Sequence, residues 1–225
     1  GNAVAMPWLP KAKGLIQAWY LGSMTGHALA DVVSGDVNPS GKLPFSFSKK
    51  LEDNGAHSFG EISYPGDSIM QEYKEDILVG YRWHDTKRIA SQFAFGYGLS
   101  YSEFSISNVR SDQSVYAPNE SIIVSFDIKN TGAIEGAEVV QVYVGKIKSK
   151  VPRALKELKG YQKLKLEPGT SKSGQVIIDV ADLAYYDEST AEWVVESGDY
   201  YLHIGNASDN MAKKIKISIR NQSKS

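Results

Sequence analysis

The chain has no cysteine, which rules out disulfides, thiol nucleophiles and zinc–thiolate sites. That absence suits a cell-envelope protein as well as a cytosolic one, so it leaves compartment open. Charge of either sign is not in excess: Lys and Arg number 25 against 26 Asp and Glu, a formal net charge of −1. The basic stripe that marks a nucleic-acid partner is therefore missing. No apolar run approaches the ~20 residues that cross a bilayer as a helix. Histidine is scarce. His27, His57, His84 and His203 lie far apart, without H-x-x-x-H spacing, and read as surface or packing residues, not metal ligands. Gly96-Tyr97-Gly98 lacks the third glycine and the strand-to-helix setting of a dinucleotide loop. Neither metal nor cofactor is expected. The opening Gly1-Asn2-Ala3-Val4-Ala5-Met6 has no initiator Met and no charged region before an apolar core. It is neither a signal nor a transit peptide, and it reads as a trimmed end.

What is present is enough apolar residue, 42% of 225, to bury one large core or two small ones. Two regimes follow each other. Lys11 to Tyr20 and Ser23 to Ser34 show helical spacing of Leu15, Ile16, Trp19 and of Ala28, Leu29, Val32, Val33. Gly22 is placed as a stop, Ser23 as an N-cap and Gly35 as a C-terminal cap. Asp36 to Gly41 is dense in turn formers, with Pro39 suited to the second position of a type I turn, and Leu43 to Phe47 reads as an extended closing piece. Asn54 to Gln71 reads as loop. Tyr73 to Arg82 fits a short helix or an extended connector, and Phe93 to Leu99 is an aromatic, Gly-rich packing segment.

Beyond residue 100 the period changes to two. Ser121 to Lys129 alternates Ile122, Val124, Phe126 and Ile128 on one face. Val139 to Val144 alternates less cleanly but is β-branched and aromatic. Leu164 and Leu166 lead into the turn Glu167-Pro168-Gly169-Thr170. Further strands are predicted at Gln175 to Val180, Trp193 to Glu196, Tyr200 to Gly205 and Lys213 to Ile219, with a polar tail at Asn221 to Ser225. Short strands at this spacing predict an antiparallel β-sandwich of the immunoglobulin or fibronectin sort. No internal repeat interrupts them.

Five strings carry a family resemblance. They are Ala18 to Gly22 with Ala28 to Pro44; Val79-Gly80-Tyr81-Arg82-Trp83; Phe95-Gly96-Tyr97-Gly98-Leu99-Ser100-Tyr101; Lys159 to Lys163 with Leu166 to Gly169; and Ser197 to Tyr201. In order along the whole chain, they resemble the C-terminal part of glycoside hydrolase family 3 proteins of the β-glucosidase type. The resemblance implies the end of an α/β sandwich domain (1–55), a linker (56–99) and a fibronectin type III-like β-sandwich (100–221). The fold class expected is thus mainly β, preceded by a small helical remnant.

A retaining glycosidase needs two carboxylates ~5 Å apart. In the resembled family, the nucleophile and the acid/base residue lie upstream of the stretch represented here, and neither has a counterpart motif. The local carboxylates Glu72, Glu75, Asp76, Asp85, Asp187 and Glu188 read as solvated or salt-bridged. Glu72 and Asp76 would share a helix face only if that piece is helical. Lys42 reads as solvated or as a carbonyl cap. Tyr81, Arg82 and Trp83 read as pins between linker and catalytic domain, with Arg82 suited to a carboxylate. Tyr185, Tyr186, Trp193, Tyr200 and Tyr201 are core and cross-strand residues or, alternatively, a sugar-stacking platform. Asn119, Asn206 and Asn221 open glycosylation-like triplets of low specificity.

No catalytic, cofactor-binding or metal-binding residue is therefore assigned. The expectation is an accessory portion of a retaining β-glycosidase, inactive alone; an independent carbohydrate- or protein-binding module is the alternative. Its expected partners are the absent catalytic domains or a second copy of the chain, docking through residues 1–48, with carbohydrate as a further candidate. A bacterial origin and a periplasmic or extracellular location are expected from the resemblance alone.

Overall fold

The computed structural model describes residues 2–220; the polar tail and the Asn221 triplet lie outside them. Strand β1 spans Phe104–Ser111, β2 Val115–Tyr116, β3 Ser121–Asn130, β4 Gly136–Lys146, β5 Glu157–Leu166 and β6 Ser171–Asp179. They are followed by β7 Tyr185–Asp187, β8 Glu192–Val194, β9 Gly198–Ala207 and β10 Asn210–Ile219. Two helices precede the strands, α1 Thr25–Ser34 and α2 Tyr81–Lys87. One sheet has the order β1-β3-β6, the other β2-β10-β9-β4-β5, and β7 and β8 form a separate hairpin. All pairings are antiparallel except that of β2 with β10. The mainly β sandwich with a small helical portion ahead of it is thus the observed architecture.

The core lies between the two sheets. Ile122, Val124, Phe126 and Ile128 of β3 interleave with Val140, Val142, Leu202, Ile204, Ile217 and Ile219 from the opposite sheet, all essentially inaccessible. The alternation of β3 survives intact as alternating burial, because only one face of that sheet is covered. Strand β4, between β9 and β5, is different: every residue from Val140 to Gly145 is buried. Its outer face is covered by the segment before the sandwich, with Tyr143 edge-on to Tyr81 and the Gln141 amide donating to the Gly96 carbonyl. A strand covered on both faces loses its polar alternation, which explains the blurred pattern at Val139 to Val144.

Two strands carry weak signals. β1 slips register between Ser107 and Arg110, with Asn108 at φ 50°; the bulge moves Val109 out of phase with Phe104 and Ile106. β5 is an edge strand in which Lys159, Lys163 and Lys165 discourage pairing with another chain. The predicted strand at Trp193 to Glu196 is instead the second arm of the outlying hairpin, Glu192–Val194.

The front of the chain departs from expectation in three places. Lys11 to Tyr20 is not a helix: a 3-10 turn at Leu9–Lys11 is followed by a stretch with neither helix nor strand. A short apolar run does not distinguish helix from extended chain by periodicity, and here Trp19 sits at φ 52° with its ring against Phe45. Ser23 is not the N-cap; it lies inside a 3-10 turn, and the Thr25 hydroxyl bonds back to the Gly22 carbonyl at 2.6 Å. Gly35 does cap α1, at φ 87°. No turn forms at residues 38–41, because Asn38 is used elsewhere, and Tyr73 to Arg82 is irregular until α2 begins at Tyr81.

Candidate functional site

Two of the strings singled out in the sequence, Asn38 to Lys42 and Phe95 to Tyr101, meet face to face. The Leu43 N–H donates to the Tyr97 carbonyl and the Gly96 N–H to the Leu43 carbonyl, both at 2.8 Å. Asn38 is the hub: its amide nitrogen donates to the Glu135 carbonyl at 2.9 Å, and its oxygen accepts from the Ser100 hydroxyl and the Tyr101 N–H at 2.9 and 2.8 Å. A side chain at Gly98 would run into the Gly41 carbonyl, 2.1 Å from its ideal Cβ position. This is why a glycine stands there.

Lys42 completes the junction. Its Nζ lies 2.7 Å from Glu138 Oε1 and donates to the Gly98 carbonyl at 2.9 Å, with side-chain exposures of only 13% and 7% for the ion pair. Glu138 also accepts from the Val139 N–H and from the Asn206 amide. Lys42 is therefore a carbonyl cap and a buried counter-ion rather than a solvated side chain. The Asn206 amide is likewise committed to Glu138 instead of lying free.

The second contact is helix α2. The Tyr81 ring stacks on Phe95 at 4.7 Å, and its hydroxyl accepts from the Leu158 N–H. Arg82 Nε lies 3.0 Å from Glu157, and Asp85 pairs with Lys156. Burial pushes the Asp85 carboxyl up, a shift that the Lys156 hydrogen bond and charge oppose. Tyr81 and Arg82 thus pin the linker to the sandwich, contrary to the sequence reading. Trp83 instead donates to the Asp53 carbonyl at 3.1 Å and packs over Gly55. His84 is a buried structural group: Nε2 faces the Ser48 hydroxyl and Nδ1 the Ile89 carbonyl.

The other singled-out residues do not converge. Glu72 pairs with Lys74 at the surface, Glu75 is buried beside Gly55 and hydrogen-bonded by Ser63, and Asp187 accepts from Ser189. Glu72 and Asp76 share no helix. Glu135 and Glu167 do meet beside Lys165, but on open surface, with Glu135 ion-paired to Lys165 at 2.5 Å. An open groove of about 760 Å³ beside Lys146 and Tyr201 contains a single carboxylate, Asp199, already paired with Lys216. Among the described residues no cluster of metal-ligating side chains is found. The five aromatics scatter as well: Tyr200 is core and Tyr201 lies under Lys214, whereas Tyr186 and Trp193 form an exposed edge-on pair on the hairpin.

His203 gives the sandwich a pH signature. Burial, aided by the charges of Lys214 and Lys156, pushes its pKa down from 6.5 to about 4. The folded chain keeps this ring neutral while the unfolded chain protonates near 6.5. Stability should therefore fall as pH drops from about 6.5 to about 4 and lose no more from this group below that. Melting temperatures at pH 7.5 and 4.5 should differ less for His203→Gln than for the native chain; an unchanged difference would place the acid lability elsewhere.

Comparison with known proteins matches this geometry. Residues 1–101 match the glycosyl hydrolase family 3 C-terminal domain and residues 138–208 the fibronectin type III-like domain. The chain is 49% identical over 211 residues to beta-glucosidase BoGH3A of Bacteroides ovatus, covering 94% of this chain and 28% of that protein. It is 42% identical over 219 residues to thermostable beta-glucosidase B of Acetivibrio thermocellus, covering 97% of this chain and 28% of that protein. Fungal relatives occur too, such as beta-glucosidase B of Emericella nidulans at 38% identity. Among solved structures, DesR, a beta-glucosidase from Streptomyces venezuelae, superposes with a TM-score of 0.91 at 34% identity, over 97% of this chain and 28% of that one. The chain thus spans little more than a quarter of the length of these relatives. Its two matched domains, its sandwich and the junction built from its motifs make it the C-terminal portion of a glycoside hydrolase family 3 protein.

Proposed function

We propose that this chain is the non-catalytic buttress of an exported enzyme that hydrolyses β-glucosides, or closely related β-glycosides, with retention. In this reading residues 1–55 complete an α/β domain whose remainder precedes the chain, 56–99 are the linker, and 100–221 are the supporting sandwich. The observation that carries it is the junction of Asn38 and Lys42 with Gly98 and Glu138, whose polar groups are committed to holding the front of the chain on the sandwich. Retention needs a nucleophile and an acid/base group facing one substrate bond, and the carboxylates named above are buried singly, paired with cations or exposed on open surface. Trp8, Ile16, Tyr20 and Val33 are exposed, too much apolar surface for a face meant for water, and they are read as the face turned toward the preceding part of the enzyme.

Incubation of the pure chain with aryl β-glucoside, xyloside and arabinoside tests the first point. No release of aryl alcohol above the buffer rate is expected. Turnover with retained configuration would overturn the assignment and direct attention to Glu72, Glu75, Asp76 and Asp85.

A further inference from the structure

Residues 58–79 form a second unpartnered surface, separate from the face at the front of the chain. The segment has almost no regular secondary structure, yet it is held in one shape. Asp67 Oδ1 accepts from the N–H groups of both Ile69 and Met70 at 2.7 Å. The Gly66 N–H reaches the Glu61 carbonyl at 2.8 Å, the Glu72 N–H the Ile62 carbonyl at 3.0 Å, and the Gln71 amide the Ser63 carbonyl at 2.8 Å. Its base is wedged under helix α2, with Phe59 edge-on to Trp83 at 5.7 Å and Glu75 buried.

What this scaffold presents is apolar. Ile69 is 92% exposed and Tyr73 73%, and Tyr64, Met70, Ile77 and Val79 are each more than half exposed. Scattered apolar side chains on a surface are ordinary, but six in one rigid segment are not. A segment already fixed loses little further freedom when it binds, so its shape suits a preformed partner.

Charge narrows the partner. Residues 58–79 hold five carboxylates and a single lysine, Lys74; Glu75 is buried and Glu72 pairs with Lys74, which leaves Glu61, Asp67 and Asp76 as exposed negative charge. The exposed part of the segment is therefore apolar with net negative charge, and a complementary seat would be an apolar groove with basic residues at its rim. A second copy would present the same negative charge to this one, which disfavours self-association through the segment. The relatives that the chain matches extend well beyond it, since it covers 28% of the Bacteroides ovatus protein.

We propose that residues 58–79 are a preformed docking arm that seats in an apolar, basic-rimmed groove on the part of the enzyme preceding this chain. The proposal rests on the reading of the chain as an accessory portion, but it concerns a different surface from residues 1–48. Hydroxyl-radical footprinting tests it on two intact polypeptides: this chain, and the Bacteroides ovatus relative at 49% identity. Rates are normalised to those of the unfolded peptides. Peptides aligned with residues 58–79 should be at least about fivefold less oxidised in the longer enzyme than in this chain, because burial removes solvent access to apolar side chains.

Peptides aligned with residues 1–34 report the other face independently, so one reading can fail without the other. Equal oxidation of 58–79 in both polypeptides would overturn the proposal. Protection in this chain alone that grows with its concentration would also overturn it, by making a second copy the occupant. Ile69→Lys with Met70→Lys should leave the melting temperature of the isolated chain within about 1 °C, as expected for surface positions. A large drop would mean that the tip packs on the chain itself and is not a docking surface.

Discussion

Lys42→Ala is expected to cost about 3–5 kcal/mol of unfolding free energy, the range for a buried ion pair that loses one partner. The reason is the state in which it leaves Glu138. That carboxylate is 7% exposed, and with Lys42 gone it retains only the Val139 N–H and the Asn206 amide as donors. The Gly98 carbonyl loses its cap in the same step. Replacing both partners by apolar residues, Lys42→Met with Glu138→Leu, should cost clearly less than the single change, because no charge is then stranded in the interior. Urea denaturation followed by fluorescence checks both variants. A loss under about 1 kcal/mol for Lys42→Ala would mean that water reaches Glu138 and that the junction opens readily. The functional reading would then weaken, since the front of the chain would not be rigidly carried by the sandwich.

Phe126→Ala is expected to have a comparable effect, about 3–5 kcal/mol, for an unrelated reason. Phe126 is 1% exposed at the middle of β3, and its cross-strand partner on β6 is Gly174. The ring lies across that glycine, so that an ideal Cβ on Gly174 would fall 2.6 Å from Phe126 Cζ. A glycine in a strand contributes no packing of its own, and the aromatic ring supplies it. Removing the ring therefore empties space on both strands. Gly174→Ala should be destabilising in the native chain by about 1–3 kcal/mol through overpacking against the Phe126 ring and the Gln162 side chain, and less so beside Phe126→Ala, where only Gln162, held by the Gln175 N–H, still stands in the way. Independent, additive effects in the double variant would show that the two residues do not share a contact in solution.

The two variants also probe different units. Phe126→Ala weakens the sandwich on which Asn38 and Lys42 depend, so the front of the chain should be lost with it. Lys42→Ala acts at the boundary, and hydrogen exchange should rise first at Leu43 and Gly96, whose N–H groups bridge the junction.

The sandwich was legible from residues alone wherever one face of a strand meets the core and the other meets water. Ile122 to Ile128 could be read in this way because alternation in sequence becomes alternation in burial, a relation that needs no knowledge of neighbours. The family, too, could be read from short strings, since each has a backbone demand that few residues meet, as Gly98 and Asn38 illustrate. Tertiary structure decided the rest. β4 lost its alternation because residues 81–97 cover its outer face, and β1 lost its phase at a bulge. Lys42 could be read as solvated or as a carbonyl cap, and it does cap Gly98, but its counter-ion Glu138, nearly a hundred residues away, is brought to within 2.7 Å only by the fold. Arg82 was expected to face the catalytic domain, yet it turned to Glu157. Local sequence specifies the preferred path of the backbone, but which charges meet and which faces dry out depends on segments far apart in the chain. Those choices are made only when long-range packing removes water from both sides at once.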